Sequence, residues 1–196
     1  MRRCVTVWSG KHHKVNDAEK QAVTAAYEWV GAMITALLIP VILFSLFIRV
    51  VNVDGTSMND TLQSNDKLVL YCYDSAYEYG DIVVIDRHVQ EPLIKRVIGV
   101  GGDTIEITDD GYVRRNGEVL DEPYAVGLTD RRGITEAVTV PEGHLFVLGD
   151  NRSVSHDSRS SEVGFVPVGD VVGKAVFRLW PMRSFGGVYG NIESDT

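Results

Sequence analysis

The stretch WVGAMITALLIPVILFSLFI, residues 29–48, decides how this chain is organised. It contains 20 residues without a charge, and a helix needs about that length to cross the ~30 Å hydrocarbon core of a bilayer. Pro40 lies near its middle, where a membrane helix tolerates a proline with a kink. The sequence therefore predicts a transmembrane helix over 29–48, preceded by a tail over 1–28.

A cleaved signal peptide and a buried soluble helix are the alternatives for this stretch. A signal peptide has a shorter apolar core, of about 7–15 residues, followed by a small-x-small cleavage site, and FIRVVNVDG (47–55) offers no such site. Few soluble domains bury a helix that is apolar on every side. We therefore expect an uncleaved membrane anchor.

Charge is divided unevenly along the chain. Residues 1–50 carry +3 of the formal net charge of −8, so the remainder carries −11. Lysine and arginine are more frequent before the apolar stretch than just after it, which predicts a cytoplasmic N-terminus and an outer domain beyond the membrane. The acidic outer domain argues against a nucleic-acid partner, because phosphates require basic side chains.

The cysteines and histidines suggest neither a disulfide nor a metal. Cys4 and Cys72 would lie on opposite sides of the membrane, so they are not expected to pair. No cysteine or histidine has the spacing of a zinc site. We expect no metal or cofactor.

Short runs rich in β-branched and aromatic residues fill the outer domain, bounded by Gly, Asp and Pro. These runs are 67–73, 81–86, 92–100, 103–108, 144–149 and 171–180. Asn116-Gly117 predicts a hairpin turn within 112–120. The fold class is therefore mainly β: one transmembrane helix and a mostly antiparallel β domain over 49–180, with a loop-rich insertion at 121–140 and a C-terminal tail at 181–196.

A serine and a lysine are the candidate chemical pair. Ser57 lies in GTSM (55–58), and a hydroxyl needs a base to become a good nucleophile. Lys95 lies in the apolar run 92–100, where burial would lower the pKa of its amine enough for it to act as that base. Serine with lysine is a known variant of the hydrolase triad. A lysine that reaches the surface is the alternative on this pattern alone.

The polar loop LGDNRSVSHDSRSSEVGFVP (148–167) is dense in Asp, Asn, Arg and Ser. Asp157 and Arg159 are two residues apart and pair if the backbone bends. Composition alone favours a polar surface loop.

Four motifs together are more specific than any one of them. GTSMNDTL, YGDIVVI, IKRVIGVGGDTIEI and GDNRSVSHDSR follow an N-terminal anchor in this order. Over roughly residues 30–180 the chain resembles the bacterial type I signal peptidases. The resemblance implies a membrane-bound serine endopeptidase of signal-peptidase fold that removes signal peptides from exported preproteins after small-x-small (Ala-x-Ala-like) sites.

The same resemblance implies partners and a location. The partners are preproteins with signal peptides and the lipid bilayer, with functional proximity to the secretion translocon and no nucleic acid. The location is the bacterial plasma membrane, with a single pass, a cytoplasmic N-terminus and an extracytoplasmic catalytic domain.

The resemblance also assigns roles residue by residue. Ser57 would be the nucleophile and Lys95 its general base. Ser155 would hydrogen-bond the lysine amine, and Asp157 with Arg159 would support the site as a charged pair. Asp150 and Asn151 would be structural members of the same loop.

A second set of residues would bind the substrate. Their side chains match a cleft, or strands that flank the cleaved peptide, whose apolar pockets accept small residues. The set comprises Val51, Val53, Met58, Leu93 and Ile94.

Three positions depart from the family pattern. Asp60 stands where proline is usual, and its charge is expected to raise the proton affinity of Lys95. Gly101 stands where proline is frequent. Gly55 stands where some members have a hydroxyl that helps the oxyanion, so this role would fall to the Ser57 backbone amide and another amide.

Three other functions stay open at this point. A dedicated processing peptidase for one class of surface protein has the same motifs. A non-catalytic, anchored peptide-binding domain finds support only in Asp60. Self-cleavage, as in the SOS repressors, would call for a DNA-binding module in place of the anchor.

Overall fold

The computed structural model describes residues 17–73, 76–86 and 91–188. One long helix, α1, comes first, followed by twelve strands. Their bounds are α1 Asp17–Phe47, β1 Ile48–Asn52, β2 Lys67–Tyr71, β3 Ile82–Ile85, β4 Leu93–Val100, β5 Thr104–Ile107, β6 Val113–Arg115, β7 Glu118–Val119, β8 Val138–Thr139, β9 His144–Leu148, β10 Val166–Pro167, β11 Val171–Trp180 and β12 Gly186–Gly187. The chain divides into two compact units, Met1–Phe44 and Ser45–Thr196.

The helix of the first unit is apolar and exposed. Over Lys20–Phe47 it is long and apolar enough to cross a membrane, by length and composition. Side chains such as Trp29 and Leu37 are 72% and 68% exposed. The predicted segment 29–48 falls within α1 except for Ile48, the first residue of β1.

The second unit consists of two antiparallel sheets. The larger sheet has the order β1-β2-β11-β3-β4-β9-β10, with β12 also paired to β11, and the smaller has the order β7-β6-β5-β8. Each of these strand pairs is antiparallel. The prediction of a mostly antiparallel β domain behind one apolar helix is confirmed.

Strand β4 lies between β3 and β9 and is buried on both faces. Leu93 and Val97 pack in one apolar cluster with residues of β3 and β9, whereas Ile94 packs in another with residues of β2 and β3. Leu93 and Val97 thus lie on one face of the strand and Ile94 on the other, as the alternation of side chains along a strand requires. Because both faces are covered, any polar side chain in the middle of β4 has to be accommodated inside the protein.

Several strands lie where the sequence predicts them. The hairpin β6–β7 turns at Asn116 and Gly117, whose φ angles of 54° and 87° fit the expected tight turn, and β11 covers the predicted run 171–180. The two-residue strands β8, β10 and β12 were not predicted, since two residues are too few for periodicity to appear.

The predicted tails are described only in part. After β11 the chain forms a 3₁₀ turn, Met182–Ser184, and β12 then pairs with β11. Val188 is buried against the core of the larger sheet. Residues 1–16 and 189–196 lie outside the described residues.

Candidate active site

The structure places the amine of Lys95 against the hydroxyl of Ser57. Lys95 Nζ donates hydrogen bonds to Ser57 Oγ at 2.8 Å and to the carbonyl of Ile94 at 2.9 Å. Ser57 lies in the turn after β1, while Lys95 lies in the middle of β4 and is only 2% exposed. The predicted burial of this lysine is confirmed, and the surface-exposed alternative is wrong.

Burial determines the protonation of the amine. Desolvation lowers the pKa of Lys95 from 10.5 to about 8, although the carboxylates of Asp157 and Asp150 act in the opposite direction. Within the described part of the chain, no carboxylate lies within ion-pair distance of Nζ. A pKa of about 8 leaves roughly one lysine in ten neutral at pH 7, so the amine has a usable population of the basic form.

The charged pair predicted in the polar loop is present. Arg159 Nε donates to Asp157 Oδ1 at 2.8 Å, and both side chains are fully buried. Burial alone would raise the pKa of Asp157, but the Arg159 guanidinium and the amide of Gly149 hold it below its usual value. Asp157 therefore stays ionised inside the protein, neutralised by its own arginine.

Ser155 is buried in the same loop, but not as the resemblance implies. Its side chain is 0% exposed. Its hydroxyl forms no hydrogen bond of good geometry among the residues described, although it lies near enough to the carboxylate of Asp157 to help lower the pKa of that group. The implied bond to the Lys95 amine is absent from this geometry. The hydroxyl instead packs against the backbone of Gly149, where a β-carbon would overlap both Ser155 and the carbonyl of Ser57.

The polar loop also holds the Ser57 turn. The amide of Asn151 donates to the carbonyl of Ser57 at 3.0 Å, and its side chain donates to the carbonyl of Thr56 at 3.3 Å. Thr61 Oγ1 donates to Asp150. Loop and turn are therefore fixed to each other on both sides of the hydroxyl.

Sequence reasoning missed Arg96, which anchors this arrangement. Its guanidinium donates two hydrogen bonds to Asp150, at 2.8 and 2.6 Å, and a third to the carbonyl of Gly80. Arg96 is 2% exposed and Asp150 is 0% exposed. An arginine in a strand buried on both faces requires an acidic partner. The position of Arg96 in the apolar run 92–100 was therefore the signal that could have revealed a buried ion pair with a distant aspartate.

Only part of the predicted substrate-binding set lines an open groove. A cavity of about 600 Å³ is bordered by residues of β1, β3 and β4 and includes Val51 and Ile94. Val53 and Met58 are 4% and 2% exposed and pack in the core. Leu93 packs in the cluster between β3 and β9, so these three side chains do not line the cavity.

Two of the positions that depart from the family pattern, Gly55 and Asp60, lie in or next to the Ser57 turn. Gly55 is exposed with a φ of 92°, a left-handed conformation that suits glycine. Asp60 is exposed, and the carboxylates that raise the pKa of Lys95 are those of Asp157 and Asp150. Asp60 is not among the groups that act on the pKa of Lys95, so the effect expected of it is not seen.

No group of three metal-binding side chains occurs among the residues the structure describes. The chemistry available at this site is that of a hydroxyl and a weakly basic amine. A neutral amine that contacts a hydroxyl takes up its proton as the oxygen attacks an electrophile.

The lowered pKa predicts a dependence of stability on pH. Between the folded pKa of about 8 and the unfolded value of 10.5, the unfolded state binds more protons, so the folded state gains stability as pH rises. The gain is roughly 3 kcal/mol. We expect the unfolding free energy of wild type to rise by this amount relative to that of Lys95→Met from pH 8 to pH 10.5.

Denaturant unfolding of both proteins in the same detergent measures this difference. Lys67→Met is the matched control, because Lys67 is exposed at the start of β2. Its difference from wild type should stay flat with pH. A flat curve for Lys95→Met as well would contradict a lowered pKa.

Comparison with known proteins shows the family to which the sequence of this chain belongs. The family model described as signal peptidase, peptidase S26, matches residues 26–180. The chain is 36% identical over 173 residues to signal peptidase I of Bacillus licheniformis, covering 80% of this chain and 90% of the relative. It is 33% identical over 178 residues to signal peptidase IB of Staphylococcus aureus, covering 81% and 91%.

A crystal structure of a signal peptidase I from Enterococcus faecalis is 32% identical, covers 52% of this chain and 97% of that chain, and has a TM-score of 0.42. The family match spans most of the chain, and the relatives are covered almost end to end. The resemblance inferred from the four motifs is thereby confirmed, and this chain belongs to the signal peptidases of peptidase family S26.

Proposed function

We propose that this chain is a membrane-anchored serine endopeptidase that removes signal peptides with Ser57 as nucleophile and Lys95 as general base. The observation that carries the proposal is the 2.8 Å contact between Lys95 Nζ and Ser57 Oγ. Burial of the amine supports it further, because a lysine with a pKa of about 8 is neutral often enough to accept a proton.

The reaction proceeds in two steps at one site. The neutral amine of Lys95 takes the proton of Ser57 as Oγ attacks the carbonyl carbon of the scissile peptide bond. The resulting ammonium donates that proton to the leaving amine, which releases the mature protein and leaves an acyl-enzyme. A water molecule then gives a proton to Lys95 as its oxygen attacks the ester carbonyl, and Lys95 returns that proton to Ser57 Oγ as the signal peptide leaves with a free carboxylate.

The oxyanion is stabilised by backbone amides in this proposal. Within the described residues the amide of Ser57 donates no hydrogen bond to the protein, so it is available to the negatively charged oxygen. Gly55 supplies no side-chain donor, and loss of one donor costs about 10²–10³ in rate where nothing replaces it. A second amide from the same turn is the expected replacement.

The groove beside β1 is the proposed binding site for the signal peptide. Strand β1 is at the edge of the larger sheet and pairs only with β2 among the described strands. An extended peptide can add to such an edge through backbone hydrogen bonds, while pockets select its side chains. Val51 and Ile94 line the groove, and we assign to them the preference for small residues before the scissile bond.

The helix α1 is the proposed membrane anchor. Its exposed apolar surface supports this assignment, because contact with water is unfavourable for so many large apolar side chains. We assign the N-terminus to the cytoplasm and the catalytic domain to the outer side of a bacterial plasma membrane, close to the translocon from which preproteins emerge.

The alternative functions gain no support. The non-catalytic peptide-binding domain was favoured only by Asp60, and this side chain is exposed and does not act on Lys95. No feature of the described residues favours a dedicated substrate class. General signal-peptide processing is therefore the function we adopt.

Two substitutions test the proposed chemistry. Ser57→Ala removes the attacking oxygen and Lys95→Ala removes the base, and each should lower cleavage of a preprotein with an Ala-x-Ala site by roughly 10³-fold or more. The measurement is product formation by the full chain in detergent or lipid.

Matched controls lie close by in the chain. Ser64 and Lys67 are exposed, so Ser64→Ala and Lys67→Ala should cleave at the wild-type rate. Cleavage that survives either active-site substitution while the controls behave normally would overturn the proposed pair.

The orientation has its own test. In intact cells from which the outer wall has been removed, added protease should digest residues 50–196, while an epitope placed before residue 17 should be protected until the membrane is permeabilised. Digestion of the epitope in intact cells would reverse the assigned topology.

A further inference from the structure

The insertion seen in the sequence lies along the loop that carries the charged pair. We call residues 122–132 the brace and residues 149–159 the site loop. The amide of Val126 donates to the carbonyl of Asp150 at 2.8 Å, and the amide of Arg152 donates to the carbonyl of Val126 at 3.0 Å. The two segments thus run side by side through backbone hydrogen bonds.

A buried ion pair holds the first end of the site loop. Glu122 accepts hydrogen bonds from Arg152 Nη2 at 2.7 Å and Nη1 at 3.0 Å, and another from Tyr124. Arg152 is 1% exposed, and its Nε donates to the carbonyl of Gly149 at 3.1 Å. A guanidinium buried this deeply depends on its carboxylate, because an unpaired buried charge is strongly unfavourable.

A second arginine, on the brace, holds the middle of the site loop. Arg132 donates to the carbonyl of Ser153 at 2.8 Å and to the carbonyl of Ser155. In the reverse direction, Arg159 Nη1 donates to the carbonyl of Asp130 at 3.3 Å. The brace therefore contacts the site loop near its beginning, in its middle and near its end.

The site loop in turn shapes the surroundings of Lys95. It carries Asp157 and Asp150, the two carboxylates that act on the amine, and each is paired with an arginine. It also contacts the Ser57 turn through Asn151. The loop, that turn and β4 together contain the groups that contact or act on the amine.

We propose that the brace positions the site loop for catalysis, with Glu122 and Arg132 as positioning residues. By holding the site loop in place, they keep water from the Lys95 amine and keep Ser57 Oγ within hydrogen-bond distance of that amine. The inference rests on the proposed function, because it assumes that Lys95 is the base. It gives the 121–140 insertion a task in the reaction beyond packing.

The test compares Glu122→Gln and Arg132→Met with two controls in the full chain. Asp121→Asn removes the same charge as Glu122→Gln one residue earlier, at an exposed position. Arg114→Met removes a half-exposed arginine that pairs with Glu106 in the smaller sheet. The readouts are kcat, KM, the pH dependence of kcat/KM and the thermal unfolding midpoint.

We expect both brace variants to lower kcat roughly ten- to hundredfold, since small displacements of reacting groups cost this much. KM should stay close to wild type, because the groove along β1 is built from other residues. The acid limb of kcat/KM should move to higher pH, because a loosened loop admits water to Lys95 and its pKa rises toward the ordinary value. Both controls should match wild type.

Two outcomes would overturn the inference. One is wild-type kcat and pH dependence in Arg132→Met, which decides the matter even where Glu122→Gln fails to fold, since Arg132 is exposed. The other is a fall in kcat that follows loss of folded protein while the acid limb stays in place. Cleavage by Ser57→Ala or Lys95→Ala would instead overturn the proposed function, so the two failures are distinguishable.

Discussion

The site depends on an amine that is buried without a carboxylate of its own. Lys95 contacts a hydroxyl and a backbone carbonyl, and neither compensates fully for the water that the ammonium loses. The two aspartates that act on it are already neutralised, Asp157 by Arg159 and Asp150 by Arg96. Desolvation therefore outweighs attraction, and the amine stays weakly basic.

The ion pairs around the site neutralise the carboxylates near the buried amine of Lys95. Three buried arginines, Arg96, Arg152 and Arg159, each bind a carboxylate and at least one backbone carbonyl. Buried pairs contribute little net stability, because desolvation offsets much of their attraction, but removing one partner is strongly destabilising. Their effect here is to fix irregular loops in one arrangement around a lysine that cannot form such a pair itself.

Much of the fold was accessible from the sequence because the signals are local. Runs of β-branched residues located the long strands, and Asn116-Gly117 located a hairpin. The apolar neighbours of Lys95 in β4 left a surface-reaching lysine open, and its burial was expected only once the four motifs implied that it is the base. The two-residue strands were missed because their pairing depends on distant partners, and so was the packing of Val188 at the end of the described chain.

The supporting network was the least predictable part. Arg96 and Asp150 are 54 residues apart, and Arg152 and Glu122 are 30 apart, so no spacing rule connects them. The same limit explains why Asp60, three residues from Ser57, was expected to act on Lys95, whereas aspartates much farther along the chain do so. Proximity in sequence is a poor guide to electrostatics once loops fold back on a sheet.

The most direct test of this account is a titration of the Lys95 amine by NMR. The full chain in detergent would carry isotope-labelled lysine, and the signal of Lys95 would be assigned by its loss in Lys95→Met. The account predicts a midpoint of about 8, clearly separate from the exposed lysines. A midpoint near 10.5 would show an amine that keeps its proton at neutral pH and would contradict its role as the base.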